Sequence, residues 1–397
     1  MPWPQDHAKL ERFRRLMIEQ ELDAVVVRAP DNIVYLTSYW CMKGYDALVF
    51  PAQGEPVLVV LEPQLEEAQR SAWANDLRVF KGYHPTDPRP PWFRARDLCI
   101  DVLSERGITG RIGLELTQGT QAADRMVAEP TVFSQDWFSG FDGAARDVVD
   151  CSGVLARSRA IKTEQEIERM RLAAELAAAA MEHTAEAIRP GMSCAEIGAI
   201  YEGHVHINGT GYKGQVDLAR AFTLVWSGPS IRTFTATSDT PVCEHEPTLF
   251  EIWVCADGYW CDLTKNACPG GLTPAYDELT DQLLGVYDRA VDHLRPGASL
   301  AELDRSVRAG IGEIGFPGQP SHPIAHGIGA RAHEPPYAHQ AAPGELSEGM
   351  VLAIEPGVYW EGGGGLRVED NFLITASGCQ KLGTYPDDFR GLGLGAR

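Results

Sequence analysis

The sequence predicts two domains, an N-terminal α/β domain over residues 1–155 and a C-terminal α+β domain over residues 156–397. The chain has 397 residues, which is long enough for two hydrophobic cores. Helical and strand patterns alternate over about the first 150 residues, as in α/β domains. After residue 160, long helical patterns come in pairs and are followed by strands.

In the N-terminal domain, the clearest helix is predicted over residues 7–22, where Leu10, Phe13, Leu16 and Met17 share one face. No G-x-G-x-x-G motif follows the first strand, so the sequence does not support a dinucleotide-binding fold. The other predicted strands are at 24–27, 46–50, 56–60 and 111–115, and the other predicted helices are at 63–74 and 95–106. Residues 31–37 begin another structural unit, and residues 82–92 form a proline-rich loop.

The C-terminal domain opens on a capping box, in which Thr163 is the cap and Glu166 follows three residues later. The helix that it starts should end near Ile188, before Pro190 and Gly191. Further helices are predicted at 193–205, 274–294 and 300–314.

The composition excludes several classes of function. The formal net charge of -20 argues against binding to nucleic acid, whose phosphates would be repelled. No apolar run of about 18 residues is present, and the N-terminus lacks the apolar core of a signal peptide, so we expect no membrane association. Nine scattered cysteines indicate reduced thiols and a cytoplasmic protein. Cys255 and Cys261 could favour zinc as ligands, but we interpret them as buried apolar residues.

The stretch from His322 to Glu369 carries the strongest functional pattern. Residues 351–354 form a buried-strand run, and Glu355 follows it directly. A carboxylate in such a position must be paired, protonated or bound to a metal, because an isolated buried charge is too costly. Arg367 and Glu369 lie on one face of the next strand pattern, and apolar residues lie on the other.

Two more pieces could join this site. His326 is surrounded by Ala325, Gly327 and Gly329, and such small residues allow a ligand to approach the backbone closely. Residues 251–262 read as a β-hairpin around an Asp-Gly turn. The hairpin can bring Glu251 and Asp262 close together, which adds two carboxylates to the site.

Together these motifs resemble the pita-bread metallohydrolases, the family of prolidase, aminopeptidase P, methionine aminopeptidase and creatinase. The resemblance covers roughly residues 155–385 well and the N-terminal part more loosely. It implies a pita-bread (creatinase/aminopeptidase-like) catalytic domain behind a creatinase-type N-terminal domain. Matched motif by motif, Asp262 lies in D-x-T, His326 in HGIG, Glu355 in EPG and Glu369 in R-x-E-D. His333, in HEPP, matches the family's substrate-contacting histidine.

The resemblance implies two divalent metal ions bound by Glu251, Asp262, His326, Glu355 and Glu369. An oxygen-rich set of this kind favours Mn, Co or Fe, and Zn also fits. Glu355 would also transfer the proton of the attacking water to the leaving nitrogen. His333 would donate a hydrogen bond to the substrate, and Arg367 would orient Glu369.

Two positions depart from the family pattern. Glu251 stands where the family has its first metal-binding aspartate, so the extra methylene shifts the carboxylate oxygens. Thr235, by ungapped count, stands where the peptidases of the family have a histidine that stabilises the transition state. No histidine lies between His206 and His245, although His245 could fold back to fill this role.

The sequence therefore predicts a metallohydrolase of C–N (amide) bonds that acts on a specialised small, dipeptide-like or amino-acid-like substrate. Three alternatives stay open: a lyase of the dimethylsulfoniopropionate-cleaving type, a plain Xaa-Pro dipeptidase or aminopeptidase, and a non-enzymatic binding protein. Retention of the ligand set argues against the last. The resemblance also implies a homodimer, or a tetramer built from dimers, in which the segment from Tyr39 to Lys43 could reach a substrate. Tyr39 and Trp40 could equally pack in the domain core. His204 and His206 are expected to be structural or to support the site without contacting a ligand directly.

Overall fold

The computed structural model describes residues 2–42, 44–117, 135–233, 235–360 and 362–390. The chain divides into two compact units, Met1–Arg159 and Ala160–Arg397. The α/β and α+β classes predicted from the sequence are confirmed for the first and second unit, respectively. No described helix has both the length and the apolar character needed to cross a membrane.

The N-terminal unit is built on a mixed sheet, in which the described strands have the order β4-β3-β2-β1-β5-β6. Strands β1, β2 and β3 pair antiparallel, and the outer pairings are parallel. The strands are β1 (Ala24–Val27), β2 (Ala47–Pro51), β3 (Val57–Leu61), β4 (Asp76–Phe80), β5 (Arg111–Leu114) and β6 (Asp147–Asp150). The helices are α1 (His7–Glu19), α2 (Pro30–Thr37), α3 (Leu65–Ser71), α4 (Pro91–Glu105), α5 (Gln135–Ser139) and α6 (Ser152–Ala160).

Several boundaries in this unit differ from the prediction. Helix α3 ends at Ser71 because Ala72 is extended and the amide of Trp73 hydrogen-bonds the carbonyl of Thr37. Helix α4 starts earlier than predicted, at Pro91, since proline fits the first turn of a helix. Strands β4 and β6 are not evident from the sequence, because charged residues interrupt their apolar patterns.

The C-terminal unit contains two helix pairs, each followed by strands. Its helices are α7 (Glu164–Ala187), α8 (Cys194–Asn208), α9 (Pro274–Asp292) and α10 (Leu300–Glu313). Both sides of the predicted Thr163–Glu166 capping box are formed, and Ser193 caps α8 in the same way. The described strands are β7 (Ala219–Ser227), β8 (Thr248–Ala256), β9 (Tyr259–Ala267), β10 (Ala325–Gly327), β11 (Glu334–Tyr337), β12 (Val351–Ile354), β13 (Gly357–Trp360), β14 (Gly364–Arg367), β15 (Asp370–Thr375) and β16 (Gly378–Lys381).

The strands of this unit form sheets that meet near the predicted site. Among the described residues, one sheet has the order β7-β8-β9, another β11-β10-β12-β15-β16, and β13 pairs with β14. A bridge between Thr264 and Glu369 joins β9 to the segment between β14 and β15. Leu352, Ile354 and Leu366 lie in one buried apolar core with residues of α9 and α10. Burial of each such side chain contributes about 1.5–3 kcal/mol, which fixes the strands that carry the site.

The predicted hairpin is confirmed as strands β8 and β9. Asp257 and Gly258 both have positive φ, +47° and +84°, as the tight turn between twisted strands requires. The Asp257 carboxylate also accepts hydrogen bonds from the amides of Asp217 and Leu218, at 3.0 and 2.8 Å.

We predict that Gly258→Ala lowers the free energy of unfolding by roughly 1–2 kcal/mol, because an L side chain is strained at positive φ. The matched control is Gly203→Ala in helix α8, where an added Cβ meets no atom within 4 Å. That change should stabilise the protein by about 0.5–1 kcal/mol. Urea unfolding of both variants measures the two effects, and shifts of the same sign would contradict the account.

Candidate metal centre

The β8–β9 hairpin presents its two predicted ligands on one face. Glu251 is opposite Thr264 in the ladder, and Trp253 is opposite Asp262. Because alternate residues of a strand point to the same face, Glu251 and Asp262 are diagonal neighbours. An oxygen of each and an oxygen of Glu369 lie within 4.8 Å of one another.

The other predicted ligands reach the same place from different strands. His326 lies in β10, Glu355 follows β12, and Glu369 lies between β14 and β15. The His326 Nε2 atom is 3.6 Å from Asp262 Oδ2 and 3.6 Å from Glu355 Oε1. The structure therefore brings all five predicted ligands together in overlapping groups, although they are up to 118 residues apart in the chain (369 minus 251).

Burial dominates the electrostatics of this cluster. All five side chains are buried. Burial, followed by the negative charges of Glu369 and Glu355, raises the pKa of Asp262 well above its usual value. Burial and the charge of Glu369 raise the pKa of Glu355 in the same direction. Without a compensating cation, these carboxylates therefore resist being ionised together.

The residues fit a divalent metal ion. The Nδ1 atom of His326 lies 2.9 Å from the carbonyl of Gly327, so it donates there and leaves the Nε2 lone pair facing the cluster. Burial lowers the pKa of His326 to about 4, which keeps this nitrogen unprotonated at neutral pH. Nε2 of His326 and Oδ1 of Asp262 are buried and make no hydrogen bond within the described chain. Such atoms, beside four carboxylates, are suitable ligands for Mn, Co, Fe or Zn.

Arg367 connects two of the carboxylates, Glu251 and Glu369. Its guanidinium forms an ion pair with Glu251, and its Nε donates to Thr264 Oγ1 at 2.6 Å. The hydroxyl of Thr264 in turn donates to Glu369 Oε2 at 2.7 Å. The predicted orientation of Glu369 by Arg367 would therefore act through Thr264, since the direct distance is 3.8 Å. Glu251, the partner of Arg367 in this ion pair, is the longer side chain that stands where the family has its first aspartate.

Two further side chains contact the cluster, and the sequence analysis assigned neither of them to the site. Trp253 Nε1 donates to Asp262 Oδ2 at 2.7 Å. His322 Nδ1 lies 2.6 Å from the carbonyl of Pro323 and 3.2 Å from Glu355 Oε2. The spacing of His322, four residues before His326, is a weak signal. The indole contact depends on the hairpin register, which the sequence alone does not specify.

Tyr359 extends the His322 contact into a hydrogen-bonded chain. Its hydroxyl lies 3.0 Å from His322 Nε2 and accepts from Arg367 Nη1 at 3.3 Å. Because His322 Nδ1 donates to a carbonyl, its Nε2 accepts from the Tyr359 hydroxyl. Hydrogen bonds thus link Arg367, Tyr359 and His322, and they place the His322 ring beside the Glu355 carboxylate.

His333 lies at the more open side of the cluster. Its ring centroid is 4.4 Å from that of His326, and its Nε2 is 3.6 Å from Asp262 Oδ2. The His333 side chain is 20% exposed, against 2% for Asp262. Burial, then the neighbouring His326, lowers the pKa of His333 to about 3, so the ring is neutral at pH 7. A neutral imidazole at this edge can donate a hydrogen bond to a substrate.

Thr235 lies outside the metal-binding groups found among the described residues. Its hydroxyl accepts a hydrogen bond from Trp226 Nε1 at 3.0 Å. His245 hydrogen-bonds the carbonyl of Gly271 through Nδ1 at 3.0 Å, and its side chain is 54% exposed. In this structure, therefore, His245 does not fold back to join the cluster.

His204, Cys255 and Cys261, the other candidate residues, lie outside the metal-binding groups found among the described residues. His204 packs against His183, with ring centroids 4.7 Å apart. Cys255 and Cys261 are buried, and burial raises the pKa of the Cys261 thiol well above its usual value.

Tyr39 is also buried, and its hydroxyl donates to Asp46 at 2.7 Å. This placement favours the core interpretation of Tyr39. Trp40 is half-buried, and Lys43, in the same predicted contact segment, lies outside the described residues.

Comparisons with known proteins agree with this geometry. Residues 168–376 match the metallopeptidase family M24, and residues 9–161 match the Creatinase/Prolidase N-terminal domain. The chain therefore belongs to metallopeptidase family M24 and is a metallohydrolase of the Xaa-Pro peptidase and creatinase type. The family uses divalent metals, and the clustered carboxylates and histidine described above could bind them.

Individual relatives extend over almost the whole chain. An Xaa-Pro dipeptidase of Pyrococcus furiosus is 28% identical over 375 residues, which cover 94% of this chain and 97% of that protein. A putative dipeptidase of Bacillus subtilis is 25% identical over 390 residues, covering 96% of this chain and 98% of that protein. The crystal structure of a prolidase from Pyrococcus horikoshii superposes with a TM-score of 0.77 at 23% identity, covering 96% and 100% of the two chains. This last likeness confirms the pita-bread fold.

We predict that Trp253→Phe weakens Mn²⁺ binding about 10-fold, because Asp262 loses the indole N–H that orients it. The matched control is Trp73→Phe in the N-terminal unit, which also loses an indole hydrogen bond, to the carbonyl of Trp3 at 2.9 Å. Isothermal titration calorimetry of both variants measures the change. Equal affinities for wild type and Trp253→Phe would show that the indole does not support the ligand.

Proposed function

We propose that this chain hydrolyses the amide bond of a small, dipeptide-sized substrate that is not an ordinary Xaa-Pro peptide. The observation that carries the proposal is the convergence of Glu251, Asp262, His326, Glu355 and Glu369 in one buried cluster with ligand atoms facing each other. Bound divalent ions would supply an acidic water and polarise the scissile carbonyl. The proposed metals are Mn, Co, Fe or Zn, in two sites.

Glu355 is the proposed proton carrier. The pKa of its carboxyl group is raised by burial and by Glu369, which suits a base that must take up a proton and release it again. His322 Nδ1 lies 3.2 Å from Glu355 Oε2, so the imidazole borders one oxygen of this carboxylate. Glu355 would accept a proton from the attacking water and donate it to the leaving nitrogen.

His333 and Arg367 have supporting roles in this proposal. His333 is neutral and partly exposed, and its N–H would stabilise the negative charge that develops on the substrate's carbonyl oxygen. Arg367 would hold Glu251 directly and Glu369 through Thr264. The proposed roles of His333 and Arg367 are supported by these contacts and by the match of the surrounding residues to the family motifs.

Thr235 is the reason for proposing a specialised substrate. A threonine hydroxyl does not titrate near neutral pH, so it cannot replace a histidine as a charged donor. Here the Thr235 hydroxyl accepts a hydrogen bond from Trp226 Nε1, which restricts its orientation. Loss of one transition-state donor typically costs about 100- to 1,000-fold in rate. A substrate whose own charge or leaving group compensates would avoid this loss.

A plain Xaa-Pro dipeptidase is the second candidate. The name of the Pyrococcus furiosus relative favours it, because that protein is called an Xaa-Pro dipeptidase and aligns over 94% of this chain.

The oligomeric state and the cellular location are proposals as well. The family resemblance suggests a homodimer, and nine unpaired cysteines suit a reducing cytoplasm.

We predict a specificity constant below roughly 10,000 per molar per second on Ala-Pro and on Xaa-Pro-Xaa peptides, with Mn, Co and Zn supplied in turn. A small amide, guanidino compound or cyclic amidine should instead be turned over by the wild type and not by Glu355→Gln. Product analysis must show uptake of water, since an alkene product would indicate a lyase. A higher constant on Xaa-Pro peptides would establish the plain dipeptidase or aminopeptidase and refute the specialised substrate.

A further inference from the structure

An isolated backbone bridge joins strand β9 to the segment between β14 and β15. In this bridge, the amide of Glu369 donates to the carbonyl of Thr264 at 3.3 Å. Among the described strands, β9 lies at the edge of the β7-β8-β9 sheet, so the peptide groups on its outer side have no strand partner within that sheet. Asp262, two residues before Thr264, is 1% exposed. Its outward-facing peptide groups are therefore buried and need hydrogen-bond partners.

Asn371 in β15 supplies both of these partners. Its side-chain Oδ1 accepts from the amide of Asp262 at 3.0 Å, and its Nδ2 donates to the carbonyl of Asp262 at 2.8 Å. A side-chain amide carries an acceptor and a donor in one plane, as a peptide group does, so it can complete a rung of a β-ladder. Asn371 is itself 1% exposed, which keeps water away from the two hydrogen bonds.

A second asparagine extends the same ladder at its other end. Asn266 in β9 donates through Nδ2 to the carbonyl of Arg367 at 2.8 Å. Each step of two residues along β9 is thus matched by a step of two residues in the opposite direction, as in an antiparallel pair. The rungs pair Asp262 with Asn371, Thr264 with Glu369, and Asn266 with Arg367. The two side-chain amides therefore fix the register of this junction, which the isolated backbone bridge alone would hold at one point.

Asn371 also belongs to the sheet that carries His326. In that sheet, Ala353 of β12 lies opposite Asn371 on one side and opposite His326 on the other. Residues that lie directly opposite each other share a face, so these three side chains point the same way. Asn371 holds the backbone of Asp262 over this face, and Asp262 Oδ2 is 3.6 Å from His326 Nε2. The amide of Asn371 therefore sets how Asp262 and His326 face each other.

A neutral amide suits this position better than a charged or an apolar side chain. The cluster already holds several buried carboxylates, and the charges of Glu369 and Glu355 act on Asp262. Asn371→Asp would add a further negative charge and would lose the N–H that the carbonyl of Asp262 accepts. Asn371→Leu would leave the buried amide and carbonyl of Asp262 without their partner.

We propose that Asn371 is a positioning residue for the metal centre, which fixes the carboxylate of Asp262 relative to His326 and Glu369 by pairing with the backbone of Asp262. This inference rests on the metal assignment within the proposed function and is independent of the substrate. It gives a polar residue that lies outside the ligand set a measurable effect on metal binding.

The test measures metal binding by the full-length chain, with no turnover involved. Calorimetry gives the affinity for Mn²⁺, and visible absorption of the Co²⁺-loaded chain reports the coordination geometry of the ion. We expect Asn371→Leu to weaken Mn²⁺ binding about 10- to 100-fold, as loss of a residue that orients a ligand typically does, and to change the Co²⁺ spectrum. Asn371→Gln keeps an amide and should keep part of the affinity. Asn371→Ser is a milder change that leaves space for water, and it gives the same readout if the leucine variant does not fold.

The matched controls are Asn32→Leu and Asn32→Ser in the N-terminal unit. Asn32 is also a buried amide with two side-chain partners, since it donates to Glu115 and accepts from Arg159. Both controls should lower the melting temperature of the metal-free chain and keep the wild-type affinity for Mn²⁺.

Two results would overturn the proposal for Asn371 alone. One is wild-type Mn²⁺ affinity and Co²⁺ spectrum in the folded Asn371 variants, because a lowered melting temperature by itself would show a structural role only. The other is an equal loss of affinity in the Asn32 variants, because the effect would then follow from instability. If the wild-type chain binds neither ion, the metal centre fails, and the proposed function fails with it.

Discussion

Repulsion among four buried carboxylates is the constraint on which the catalytic unit depends. Glu251, Asp262, Glu355 and Glu369 would together carry four negative charges, and Arg367 contributes one positive charge, which leaves three. One divalent ion would leave one negative charge, and two would leave one positive charge, which an anionic nucleophile could balance. Burying uncompensated charge destabilises the fold, whereas burying apolar surface stabilises it, so these residues are together for a reason other than stability.

The direction of the pKa shifts has a consequence for the metal-free protein. Carboxyl groups whose folded pKa is raised bind more protons in the folded than in the unfolded state. The stability that they contribute is therefore present at low pH and is lost as the pH rises from the ordinary carboxyl value of about 4 towards the raised one. Divalent cations would counteract this loss, because they replace the protons as the compensating charge.

Much of the fold and site could be predicted because local signals are strong there. The Asp257-Gly258 turn, the Thr163 capping box and the Glu355 that ends a buried strand each follow from a few adjacent residues. Strands β4 and β6 could not, because charged residues break their patterns and only their neighbours in the sheet define them.

The contacts around the proposed metal ligands could not be predicted from the sequence either. The bond from Trp253 to Asp262 depends on the register of two strands, and the His322–Tyr359–Arg367 chain joins residues that are up to 45 positions apart (367 minus 322). The ion pair of Arg367 with Glu251 spans 116 positions (367 minus 251). Sequence patterns identify such residues as polar and buried, but only the tertiary structure pairs them.

The most direct test of the account is the metal content of the purified full-length chain after equilibration with Mn²⁺ and dialysis, measured by elemental analysis. The wild type should retain divalent metal, and Glu355→Ala should lose most of it along with all turnover. The control Glu345→Ala, at an exposed position outside the cluster, should retain the wild-type amount. Undiminished metal in Glu355→Ala would contradict the assignment of this cluster as the metal centre.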